Sequence, residues 1–262
     1  MKFLIKITFF ISLIVGIFSL LGLFILRNFP EYTTNISNFI PFFISLGSIG
    51  FTFLTIICAF LIGIYALGFE RNILIFLISV SVSLIMELSS TYNGFPFGYY
   101  KYTDLLGPKI LNEVPYLIPP SWFSIVVLSY IISKRLLYSG YYLVLVSTIF
   151  AFFWDLSLDY AMTKVYPFWV WQEKGFFYDM PIVNWAGWLF TLFIINFLFY
   201  ILDRPEYKNE KYTGYVFYLY VLIVGFPIVM SLIGGGAFAF LLGLNGIMIV
   251  IILSRIRSVK LW

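Results

Sequence analysis

With 262 residues, 62% of them hydrophobic and only 11% charged, and a mean hydropathy of +0.99, the chain reads as a bundle of membrane helices rather than a soluble domain. A net charge of +4 is modest and its basic residues sit in short loops, which fits membrane orientation and speaks against a nucleic-acid partner. There is no histidine and one cysteine, Cys58, which excludes haem with histidine ligands, histidine-rich di-iron oxygenases, zinc hydrolases of the usual kind and an intrachain disulfide. Neither a metal nor a cofactor is expected.

The first apolar stretch, Ile7 to Leu26, lacks a small-x-small cleavage site and reads as a retained helix, not a signal peptide. In chain order, spans are predicted near 3–26, 39–67, 72–91, 120–137, 141–161, 184–202, 214–232 and 236–253. The last two together would make a helix of about 60 Å, twice the hydrocarbon thickness, so Gly234-Gly235-Gly236 is taken as a break. The expected fold is therefore an all-α integral membrane protein of eight helices, or seven if that break fails. It forms a single polytopic domain over 1–262 without an internal repeat.

Eleven Lys and Arg residues fall on the side of the N-terminus (Lys134-Arg135 among them) and five on the other. By the positive-inside rule both termini face the cytoplasm and the protein resides in the cell membrane. The segment 203–212 reads as a solvated cytoplasmic loop. In this topology Glu87, Asp155 and Asp159 lie towards the outer ends of helices three and five. Trp122 and Asn184 begin helices four and six there, and the two longest loops, 92–119 and 162–183, join them on that side.

The three acids are the strongest functional signal. A carboxylate at membrane depth costs about 2.5–3.5 kcal/mol and is usually retained for a function. Asp155 and Asp159 are four apart, share a helix face and could hold one proton between them, as general-acid chemistry requires. The bland alternative is an interfacial Asp159 paired with Lys164. The loop aromatics Phe97, Tyr99, Trp169 and Trp171, with Trp185 and Trp188, could be an interfacial belt. Beside the acids, however, aromatic faces could stabilise a carbocation by about 2 kcal/mol or more when desolvated.

Two blocks carry a family resemblance. The first is Glu87, then Asn93-Gly94-Phe95-Pro96-Phe97-Gly98-Tyr99-Tyr100-Lys101-Tyr102, Leu106-Gly107-Pro108 and Val114-Pro115. The second is Asp155-Leu156-Ser157-Leu158-Asp159, then Trp169-Val170-Trp171, Pro181, Asn184 and Gly187-Trp188. Together, over about residues 85–190, they resemble the membrane carotenoid-biosynthesis proteins, a family that includes bisanhydrobacterioruberin hydratase and the membrane carotenoid 1,2-hydratases. The chain departs from the family pattern at Tyr160, where a proline is frequent, and at Ser121, where an asparagine is common.

The resemblance implies a cofactor-independent hydratase acting on an acyclic carotenoid within the lipid bilayer, with other carotenoid-pathway enzymes as further partners. Applied to the matching positions, the physical argument assigns Glu87, Asp155 and Asp159 as catalytic, with Glu87 or Asp155 as proton donor. It assigns Asn93, Phe97, Tyr99, Tyr102, Trp122, Trp169, Trp171 and Asn184 to substrate binding. Two other readings use the same acids: an end-group cyclase, in which the cation is captured internally, and a proton-coupled transporter. The clustering of the acids at one depth argues against the transporter.

Overall fold

In hydrocarbon every backbone N–H and C=O must be satisfied within its own segment, so apolar runs of about twenty residues become helices. The computed structural model describes residues 1–203 and 211–262. It places along them α1 (Lys2–Asn28), α2 (Ile40–Leu67), α3 (Phe69–Asn93), α4 (Ile118–Arg135), α5 (Gly140–Phe152), α6 (Asp155–Tyr160), α7 (Val183–Leu202), α8 (Tyr215–Ile233) and α9 (Ala237–Ile256). A short turn at 153–154 joins α5 to α6, and a π-helical turn, Ala161–Val165, continues α6, so Gly140–Val165 is one membrane-length run. The result is eight membrane-length helical segments, as the sequence predicts, and the protein is an all-α integral membrane protein.

Seven of these segments are long and apolar enough to cross a membrane. The eighth, α4, is different in kind. Every residue from Ser121 to Ser133 is buried, because α2, α3, α5, α7 and α8 all pack on it. Surrounded by protein, α4 need not be uniformly apolar, and it carries Ser121, Ser124, Ser129 and Ser133, whose small side chains let neighbouring backbones approach.

The expected break between the last two helices is present. Its Gly234 carbonyl accepts bonds from the Tyr160 hydroxyl and from Arg27 Nη2, each at 2.8 Å. The polar loop expected over 203–212 lies for the most part outside the described residues. Its first residue, Asp203, forms a bidentate ion pair with Arg71 at 2.6 and 2.5 Å, tying the end of α7 to the start of α3. Both side chains are less than a tenth exposed, so the pair is a buried one.

The two long loops are where local structure was not anticipated. Each contributes a three-residue strand, β1 (Tyr100–Tyr102) and β4 (Trp169–Trp171), paired antiparallel with Tyr100 opposite Trp171 and Tyr102 opposite Trp169. A smaller hairpin pairs β2 (Lys109–Ile110) with β3 (Val114–Pro115). The first pairing fastens the two acid-bearing regions of the sequence to each other.

Candidate active site

Side chains on a strand alternate between faces. In β1 and β4 this sends Tyr100, Tyr102, Trp169 and Trp171 to the protein interior, while Lys101 and Val170 are exposed. All four inward residues carry hydrogen-bond donors, and all four are bonded to a carboxyl group. Glu87 Oε2 accepts from the hydroxyl of Tyr100 and from that of Tyr102 at 2.8 Å, while Oε1 accepts from Trp122 Nε1 at 3.0 Å. Asp159 Oδ1 accepts from Trp169 Nε1 at 3.1 Å and Trp171 Nε1 at 2.9 Å. Indole nitrogens donate only, so the surroundings of Asp159 suit a carboxylate.

Asp155 is held differently. Among the described residues its carboxyl receives one hydrogen bond, from Asn184 Nδ2 at 3.3 Å, although the residue is only 1% exposed. No ion pair reaches any of the three acids among the described residues. The expected alternative of an Asp159–Lys164 pair is not what forms: Lys164 pairs instead with Asp179, and holds that exposed carboxyl below the usual range.

The three acids line one cavity of about 110 Å³. Its aromatic wall includes Phe97, Trp169 and Trp171, and Trp122 stacked on Trp188 at 3.9 Å, with Trp154 edge-on to Trp188. Thr55, Ser121 and Ser124 add hydroxyls. Phe97 is seated by a close approach of α7. A Cβ at Gly187 would lie 2.5 Å from the Pro96 carbonyl oxygen, so only glycine allows the turn before β1 to sit on this helix. Among the described residues no set of three or more Asp, Glu, Cys or His side chains converges as a metal would require.

Of the residues singled out from sequence, Glu87, Asp155, Asp159, Phe97, Tyr102, Trp122, Trp169, Trp171 and Asn184 come together around this cavity. Asn93 and Tyr99 do not. Asn93 is spent on the turn after α3, where its Oδ1 accepts from the backbone N–H of Phe95 at 2.9 Å. Tyr99 has the outward parity of Lys101 and is 42% exposed, whereas its neighbour Tyr100 has the inward parity. Tyr100, Trp154 and Trp188 were not assigned to the site from sequence. The signal for Tyr100 was the strict alternation of Tyr-Lys-Tyr and Trp-Val-Trp, which is short but has period two.

Burial first, and then the neighbouring Glu87 carboxyl, hold the phenols of Tyr100 and Tyr102 well above the usual tyrosine range. The folded state thus keeps two protons that the unfolded chain releases above about pH 10. This stabilisation is complete below that pH and is lost as pH rises towards the folded values, at up to about 1.4 kcal/mol per pH unit for each group. Thermal unfolding of solubilised protein should therefore show a midpoint that falls between about pH 10 and 12. The fall should be shallower in the Tyr100→Phe, Tyr102→Phe double variant, and equal slopes would contradict the assignment.

Fold and site together define a class: a polytopic membrane protein enclosing a small, aromatic-walled cavity lined by three buried carboxyl groups that, among the described residues, have no ion-pair partner. Residues 47–252 match the family described as carotenoid biosynthesis protein, and the chain belongs to that family. Both acid-bearing blocks lie within the match. A curated relative, the bisanhydrobacterioruberin hydratase of Haloarcula japonica, is 30% identical over 141 residues, an alignment covering 52% of this chain and 47% of that protein. The chain thus spans about half the length of the relative it matches. No solved structure matches it.

Proposed function

We propose that this protein is a carotenoid hydratase that adds water to the terminal double bond of an acyclic end group. The observation that carries the reading is the cavity, which joins buried carboxyl groups to aromatic faces and hydroxyls. Asp155 is the proton donor, since its carboxyl faces the cavity with one weak amide partner. It transfers its proton to one alkene carbon, and the π electrons form the new C–H bond. The adjacent carbon becomes a tertiary cation, stabilised by the faces of the surrounding tryptophans and by the fixed negative charge of Glu87 and Asp159. A water oxygen then forms the C–O bond, and the surplus proton returns to Asp155, restoring the acid. The product is a tertiary alcohol.

The family match supports a carotenoid as substrate, and the relative's printed name supports hydration as the reaction. The Lys and Arg bias supports an orientation with both termini in the cytoplasm and the site towards the outer face. The test is expression in cells that accumulate lycopene or a longer acyclic carotenoid, with products read by mass. A gain of one or two waters is expected. New products of unchanged mass would instead identify ring closure and overturn hydration, and no new product would overturn both.

A further inference from the structure

A cavity of about 150 Å³ accommodates a benzene ring. The acid-lined cavity, at about 110 Å³, therefore takes an end group and not a whole polyene. The remainder of the chain has to lie elsewhere, and a second space adjoins the cavity. It is an apolar groove of about 340 Å³ between α1, α2 and α8, lined by residues such as Ile14, Phe18, Leu23, Phe43 and Met230. Ser48, Phe168 and Phe226 line both spaces, so the groove adjoins the acid site across these three side chains. Along α1 its lining runs from residue 14 to residue 26, about 18 Å at 1.5 Å per residue. An elongated, polar-poor trough beside an acid-lined cavity suits a linear hydrocarbon with a reactive end.

We propose that this groove between α1, α2 and α8 is the polyene-binding site, entered from the lipid, with Ser48, Phe168 and Phe226 forming the threshold that the end group passes to reach the carboxyl groups. The assignment rests on the carotenoid-substrate reading above and adds where the rest of that molecule lies. The groove also makes the geometry one-ended: the threshold admits one terminus of the substrate at a time.

Gly22 supplies the means of testing this. It lines the groove, and a Cβ there would meet nothing within 4 Å, so a side chain can be introduced at this lining position without its first atom meeting the fold. Gly225 is the comparison position: a Cβ there also meets nothing within 4 Å, and it lines not this groove but a neighbouring depression between α1 and α8, which shares only Leu20 and Phe226 with the groove. Lycopene binding to detergent-solubilised, monodisperse full-length protein would be followed by the visible circular dichroism that a symmetric polyene acquires in a chiral site. We expect Gly22→Phe to weaken binding at least tenfold and Gly225→Phe to leave it unchanged. Should Gly22→Phe lose its monodisperse form, Ile14→Trp, at an exposed lining position, reads the same contact.

Unaltered binding in the groove variants would mean that the polyene lies elsewhere, and would overturn the assignment. Equal loss in Gly225→Phe, or no saturable binding to the wild type, would overturn it as well. The hydration reading fails separately. A wild-type protein that binds lycopene through the groove but yields no hydrated product would retain the site and lose the reaction.

Discussion

Replacing Asp155 by asparagine is expected to lower product formation per unit of folded protein by about 10²–10⁴-fold, the range that a positioned general acid contributes. The argument is local. The asparagine oxygen can still accept from Asn184, so the one hydrogen bond to this position survives. Shape is unchanged and an ionisable group is removed from a site that is 1% exposed, so stability should hold or rise. Only the transferable proton is lost. Asp159→Asn should do less, because that carboxyl is engaged by the indoles of Trp169 and Trp171 and acts on the cation through its charge. The measurement is turnover of solubilised, monodisperse protein against an acyclic carotenoid. Near-wild-type activity in Asp155→Asn would sink the assignment of the donor.

The second large effect is on stability. Glu87 is 4% exposed and depends on three donors, two of them phenols from β1. In Tyr100→Phe, Tyr102→Phe the carboxyl retains Trp122 alone. A hydrogen bond to a charged group contributes about 1.5–3 kcal/mol, so the double variant should lose about 3 kcal/mol or more. Adding Glu87→Leu to that background removes the stranded acid and should recover much of the loss, while abolishing activity. Denaturant unfolding of the three proteins decides this, and a further loss of stability in the triple variant would show that Glu87 is not what the tyrosines serve.

The helices were legible in the chain because hydropathy over twenty residues is a long, redundant signal, and only small shifts at the ends separate the predicted from the observed segments. Both loops were expected to bring the acids and aromatics together on one side, and around Glu87, Asp155 and Asp159 they do. What was not legible depends on pairing across the fold. Three residues carry too little alternation to announce a strand, so Tyr99 was chosen over Tyr100, one position out of phase with the sheet. Lys164 is five residues from Asp159, which made a pair between them the bland alternative to a functional acid, but Asp179 engages that lysine. Trp188 read as part of an interfacial belt because its stacking partner, Trp122, is 66 positions away in sequence. The groove along α1 gave no sign at all, since its residues are as apolar as any that face lipid.

The enclosure of α4 bears on how the chain is made. Insertion machinery that meets segments one at a time favours those that partition readily into hydrocarbon, and a helix with four serines and a terminal Lys134-Arg135 partitions poorly by itself. Its entry is favoured when α3, the preceding segment and an adjoining surface, is already present to receive it. The Trp122–Glu87 hydrogen bond spans those two helices. A nascent α3–α4 hairpin therefore carries its acid into the bilayer with a donor beside it, and biogenesis of the membrane domain and sheltering of a reactive carboxyl become one event.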